Sequence, residues 1–196
     1  MKFFLLSIGI CSAALLAAQD AYDLKDLKKM KATDTSYVYE LPFRPGEKHY
    51  IIQGYQTMFS HKGECAIDFT MKQGTVICAA RGGIVTELKE DGVKHGVSYK
   101  FAGEGNYVEV RHSDGTYAGY WHLQKNGATV SVGDTVVTGQ PIGLSGHTGY
   151  SALPHLHFYV YGFDSKGKYV TYPTRFRTPK GIIYLKPTRR YRRPAQ

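Results

Sequence analysis

No long amphipathic helical stripe, internal repeat or low-complexity linker occurs in this chain, so a helical bundle, a solenoid and a disordered scaffold are all excluded as its main architecture. Long apolar runs are missing too. The longest, Phe3 to Leu16, is too short for a comfortable transmembrane helix, and no later segment qualifies. Cysteine is scarce: Cys11 lies inside that apolar run, which leaves Cys65 and Cys78, so at most one disulfide joins the remainder. In an oxidising compartment such a pair suggests a bridge across the turn at Met71 to Gly74, with two buried thiols as the alternative. Acidic residues are absent from Ser165 to Gln196, a stretch that carries ten basic ones.

Residues 1–18 read as a secretory signal: Lys2 supplies a positive start, the apolar run follows, and Ala17-Ala18 offers small residues for cleavage. Bulky Ile10 before Cys11 argues against a lipoprotein site, and an uncleaved anchor is the competing reading. The expected location is secreted or periplasmic. Roughly 178 residues follow the signal, enough for one domain with a real core. Residues 19–36 form a short charged lead-in, residues 37–172 the domain, and residues 173–196 a basic tail. Of the chain's formal charge of +9, that tail carries +8, above all in Arg189-Arg190-Tyr191-Arg192-Arg193. Such a run is by default a solvated, disordered end; functionally it would contact an anionic envelope polymer rather than nucleic acid.

From Tyr37 to Tyr172 short apolar runs alternate with polar residues and break at glycines, which predicts an all-β, antiparallel architecture. Asn106 to His112 and Thr116 to Leu123 flank Ser113-Asp114-Gly115, a hairpin signal. Thr75 to Leu88 reads as a strand pair broken at Gly82-Gly83, and Val130 to Ser145 as two short strands around Gly139. Thr86 to Gly105 reads as an exposed loop.

Within this frame three constellations carry chemistry. His155-Leu156-His157 begins a predicted strand, where residues i and i+2 share a face about 7 Å apart. That suits one metal ligand plus one acid–base group, and either histidine fits either role; two solvated strand histidines are the plainer reading. His61 precedes Asp68, a carboxylate in the apolar setting of Ala66, Ile67 and Phe69, costly there unless paired or bound to a cation. A salt-bridged or turn-capping aspartate is the alternative. His61, Asp68 and one histidine of the pair make a three-ligand set of the kind found in catalytic zinc sites, with a fourth position open for water. His122 ends Tyr120-Trp121-His122-Leu123; it is either a satisfied core histidine or, with the remaining member of the pair, a proton-transfer group for hydrolysis.

Taken in order, His61, Asp68, Tyr120-x-His122-Leu123, Gly146-x-Thr148-Gly149 and His155-Leu156-His157-Phe158 resemble the lysostaphin-like (LytM-type) zinc metallopeptidases, bacterial peptidoglycan endopeptidases. The resemblance covers roughly Gln53 to Val160. It implies a compact antiparallel β-sheet or sandwich, related to barrel-sandwich hybrid motifs, with a zinc-bearing groove. It assigns His61, Asp68 and His157 as ligands of one Zn²⁺, His122 and His155 as the catalytic histidines, and peptidoglycan peptides as substrate. The sequence departs from the commoner family pattern in the interval between His61 and Asp68, which is longer here and must bulge around Glu64 and Cys65. Glu64 is thereby a candidate base in place of a histidine. The family also often places a tyrosine near the first ligand, and Tyr55 is the nearest upstream. His147 stands where asparagine is commoner and either lines the groove or, as the favoured reading, holds its turn; His49, His95 and His112 are read as surface residues.

Two other functions deserve weighing. A non-catalytic module of the same family would bind the wall or activate a partner amidase, but such members lack ligands that this chain keeps. Val132 to Ile142 also resembles the strand motif of biotinyl and lipoyl carriers, yet no lysine occupies the expected hairpin tip.

Overall fold

A computed structural model describes residues 37–57 and 60–195; the signal and lead-in expected over residues 1–36 lie outside them. In chain order the strands are β1 (Val38–Tyr39), β2 (Lys48–Gln53), β3 (Ala66–Thr70), β4 (Val76–Cys78), β5 (Gly83–Lys89), β6 (His95–Gly96), β7 (Asn106–Arg111) and β8 (Tyr117–Ala128). They continue as β9 (Thr135–Val136), β10 (Pro141–Ser145), β11 (Gly149–Tyr150), β12 (His155–Phe163), β13 (Tyr169–Tyr172), β14 (Arg175–Thr178), β15 (Gly181–Tyr184) and β16 (Arg190–Arg192). A short 3₁₀ turn, Tyr99–Glu104, is the one helical element among the described residues. No helix there is long and apolar enough to cross a membrane.

Eleven strands join in one sheet whose central order is β16-β2-β3-β12-β8-β7-β5-β9, all antiparallel. The expected all-β antiparallel class is therefore what the chain adopts. Period-two alternation explains why. On β12, Leu156, Phe158 and Val160 turn to one side and are buried, while His155, His157, Tyr159 and Tyr161 turn to the other. On the buried side Ile67 and Phe69 of β3, Ala118 and Tyr120 of β8, and Val108 and Val110 of β7 complete the layer. A three-stranded sheet, β1-β14-β15, closes this core: Phe176 packs 5.7 Å from Phe158 and Tyr39 lies 6.4 Å from it, ring centroid to ring centroid. Each such ring taken out of water contributes roughly 1.5–3 kcal/mol.

The segment read as a solvated basic tail is part of this architecture. Phe176 is fully buried, β16 pairs with β2, and Arg193 is 2 % exposed, its guanidinium donating to the Phe43 carbonyl at 2.7 Å. Charge count obscured the alternation in Arg175-Phe176-Arg177-Thr178, where the arginines face outward and the ring inward.

The hairpin at Ser113-Asp114-Gly115 forms as expected, joining β7 and β8. Thr75 to Leu88 does not form a strand pair. β4 pairs with β10, and β5 with β7 and β9. Gly83 marks a close approach rather than a turn, since a Cβ there would lie 2.2 Å from the Arg111 carbonyl oxygen. Cys65 and Cys78 stand apart as buried thiols, with no disulfide between them.

Candidate metal centre

Register places the site. His157 of β12 lies directly opposite Asp68 of β3 on one side and Trp121 of β8 on the other, and all three face away from the core. His61, in the turn before β3, comes in beside them. One donor atom each from His61, Asp68 and His157 lies within 4.8 Å of the others.

Hydrogen bonds fix which atoms are offered. The His61 Nδ1 donates to the Gly54 carbonyl at 2.8 Å, which leaves Nε2 as a bare lone pair. That Nε2 is buried, has no hydrogen-bond partner, and faces the Asp68 Oδ1 at 3.2 Å. Two lone pairs so placed repel unless a cation sits between or beside them. The same Oδ1 is 2.9 Å from His157 Nδ1, and Oδ2 accepts from the Gln53 side-chain amide at 2.7 Å. On the other side of the ring, His157 Nε2 is 3.5 Å from a Glu64 carboxylate oxygen.

Electrostatics describe the same demand for positive charge. Burial opposes ionisation of Asp68, yet the neighbouring histidines and the hydrogen bond from His157 hold its carboxyl well below the ordinary range. Burial likewise opposes charge on His157, but Asp68 and Glu64 outweigh it and raise the imidazolium to about 10. A divalent cation bound by these three donors would meet that demand in place of a proton, so the residues present fit a metal.

Beside them stand two more histidines. His155 holds Nδ1 against the Leu153 carbonyl at 2.7 Å and the Ser151 hydroxyl at 3.2 Å, with Nε2 3.7 Å from Asp68 Oδ1. His122 donates through Nδ1 to the Thr148 carbonyl at 2.7 Å, and its ring is 4.6 Å from that of His155. Burial is the main cause that keeps each of these rings below the usual histidine range; repulsion from neighbouring histidines adds to it. Both therefore rest neutral, with Nε2 free to accept a proton.

His122 reaches the groove by a route that alternation does not foresee. Tyr120 points to the core and Trp121 to the groove, so the next residue in a regular strand would return to the core. Instead β8 opposes Tyr107 with Trp121 and Asn106 with Leu123, and His122 is the extra residue of a bulge, at φ +68°. A bulge of this kind re-aims its side chain, at the cost of about 1–3 kcal/mol of backbone strain for a non-glycine residue.

The groove itself encloses about 720 Å³. Thr86 to Gly105, expected as an exposed loop, begins inside β5; its later part is exposed and supplies Val97, Tyr99 and Ala102 to the groove lining, together with Tyr150 and Leu153. Tyr55 does not take part: its hydroxyl is buried and donates to the Thr174 carbonyl at 2.8 Å. His147 is half-buried and stacks at 3.8 Å on exposed His95, while His49 donates to the Thr70 carbonyl. His112, expected at the surface, is buried; it donates to the Gly82 carbonyl at 2.9 Å and packs against Tyr39. Sequence reasoning missed Gln53, whose amide steadies Asp68, and the Thr148 carbonyl; both act through tertiary contacts that no local pattern encodes.

Comparison with known proteins agrees in kind. The model of peptidase family M23 matches residues 59–171. An uncharacterized metalloprotease of Haemophilus influenzae is 37 % identical over 117 residues, 60 % of this chain and 21 % of that one. Lysostaphin of Staphylococcus simulans is 37 % identical over 92 residues, 47 % of this chain and 17 % of that one. The peptidoglycan DD-endopeptidase ShyC of Vibrio cholerae is 34 % identical over 116 residues, 58 % and 23 % of the two chains. The chain thus spans about a fifth of the length of these curated relatives. With the matched region covering more than half of its residues, including every histidine and carboxylate of the groove described above, the chain belongs to peptidase family M23.

Proposed function

We propose that this protein is an exported zinc metalloendopeptidase that hydrolyses peptide bonds of bacterial peptidoglycan. The observation that carries the reading is the meeting of His61, Asp68 and His157 donor atoms within 4.8 Å on the floor of an open groove, with His122 and His155 alongside. The three would hold one Zn²⁺, which when bound polarises a peptide carbonyl and brings the pKa of water down to about 7. His122 and His155 supply the proton traffic. Each offers Nε2 as an acceptor because Nδ1–H is committed to a backbone carbonyl. The ring that takes a proton from the attacking water becomes the donor that returns it to the leaving amine, so the resting state is restored. The same protonated ring can meet the developing oxyanion. Glu64 keeps the far edge of His157 engaged, a partnership that orients a metal-binding imidazole, and it is not needed as the base.

Export rests on the signal-like residues 1–18, and the exposed Arg189, Arg190 and Arg192 would hold the protein to anionic envelope polymers. The test is digestion of purified peptidoglycan by the zinc-loaded protein, with released fragments read by mass spectrometry. New peptide termini, absent with His122→Ala, are the expected result and identify the bond cut. Intact peptidoglycan after incubation with zinc-loaded, folded protein would contradict the reading.

A further inference from the structure

The floor of the groove does not end at the metal row. Cross-strand register carries the same face down the sheet in steps of two residues. After His157 opposite Trp121 comes Tyr159 opposite Gly119, then Tyr161 opposite Tyr117, and finally Phe163 opposite Tyr169 of β13. Along β12 this is about 20 Å of strand. Tyr117 and Tyr161 stack at 4.9 Å, and Tyr107 of β7 stacks on Trp121 at 4.2 Å. Gly119 between these two pairs leaves room for Tyr159, since a Cβ there would come within 2.8 Å of that ring. Phe163 and Tyr169 are 57 % and 48 % exposed, and no described element covers them. Aromatic side chains in such numbers on a solvent-facing sheet mark a binding surface rather than a core.

Its chemistry is not that of an apolar peptide cleft. Glu109 sits in the middle row, accepting from the Tyr161 hydroxyl at 2.5 Å and lying 3.4 Å from that of Tyr159. Glu87, in the same row, accepts from Tyr107. Ring faces interleaved with oriented hydroxyls and carboxylates suit a ligand that has both C–H faces and hydroxyl groups, which is the chemistry of a pyranose chain.

We infer that this aromatic strip is a glycan-binding subsite, continuous with the hydrolytic groove, that packs against sugar rings of the strand from which the cleaved peptide hangs. The inference rests on the peptidoglycan reading of the groove, because a short stem peptide held at the metal row brings its own glycan strand within reach of the strip. Its occupant is thus a β-linked amino-sugar chain, and its role is to raise local affinity for polymeric substrate without touching the reacting bond.

The probe is a peptide-free chain of β-1,4-linked N-acetylglucosamine, titrated into the full-length protein by isothermal calorimetry and followed by backbone NMR shifts. Phe163→Ser with Tyr169→Ser removes the two most exposed rings without opening the core, and an unchanged thermal midpoint confirms that the variant is folded. Binding by the wild type, weakened at least tenfold in the double variant, with shifts centred on β12, β8 and β13, is the expected result. Hydrolysis of a short sugar-free peptide should be equal in the two proteins. No binding by the wild type, or equal binding by the variant, overturns the inference. So does concentration-dependent dimerisation by sedimentation that the variant abolishes, which would assign the strip to a second copy of the chain. Because sugar binding needs neither zinc nor hydrolysis, its outcome is independent of whether the peptidase reading stands.

Discussion

The two faces of β12 differ in what they ask of the same backbone. On one, Leu156, Phe158 and Val160 are sealed between sheets; on the other, His155, His157 and Tyr159 line the groove. The buried face tolerates any sequence that is apolar and of the right volume, so it establishes the fold without specifying chemistry. Atom-by-atom hydrogen bonding governs the open face: His155 is held through Nδ1 so that Nε2 is free, and His157 is held between Asp68 and Glu64. Stability and function are thereby separated by a single residue step, and substitutions on alternate positions should have different consequences.

The largest of these is expected on the open face. His122→Ala should retain zinc and fold while peptide hydrolysis falls about 10²–10⁴-fold, the usual contribution of a positioned acid–base group, as measured by steady-state turnover. An unchanged rate would remove His122 from the chemistry. On the closed face Phe158→Ala should cost about 3–5 kcal/mol by urea unfolding, because the pocket among Tyr120, Tyr39 and Phe176 cannot collapse. The folded fraction of that variant should still bind zinc.

A smaller effect sharpens the open face itself. Glu64→Gln keeps the shape of the side chain but weakens its hold on the outer edge of His157, so zinc affinity measured against a competing chelator should drop about 10–100-fold. Equal affinity would mean that the Glu64 carboxylate does not orient the ligand.

The smallest contrast sets one histidine against the others. His112 belongs to the core, and burial, its leading influence, lowers its pKa to about 4. The unfolded chain takes up this proton near pH 6.5 and the folded one only near 4, so the unfolded state holds more protons in between and stability falls as pH drops through that window. His112→Gln should flatten this part of the stability profile and leave zinc content at neutral pH unchanged.

Alternation made the sheet legible: the His155-Leu156-His157 strand and the β7–β8 hairpin follow directly from period two and a turn. What stayed hidden depends on contacts between distant segments. Neither member of the histidine pair is distinguished locally; the register that sets His157 against Asp68 is a property of β3 and β12 together. His122 looks like a core residue until the bulge reverses it. The C-terminal segment reads as solvated because ten charges conceal one phenylalanine, and Arg193 is buried where its guanidinium meets the distant Phe43 carbonyl. Gly82-Gly83 signals a break, but sequence does not say whether the break is a turn or a neighbour passing close by.

The most direct test is zinc stoichiometry by elemental analysis of the purified wild type, His61→Ala, Asp68→Ala, His157→Ala and His122→Ala proteins. One zinc per chain in the wild type and in His122→Ala, with loss from the other three, is the predicted result. Full zinc in any of those three, or loss of zinc from His122→Ala, would contradict the division between metal-holding and proton-moving residues.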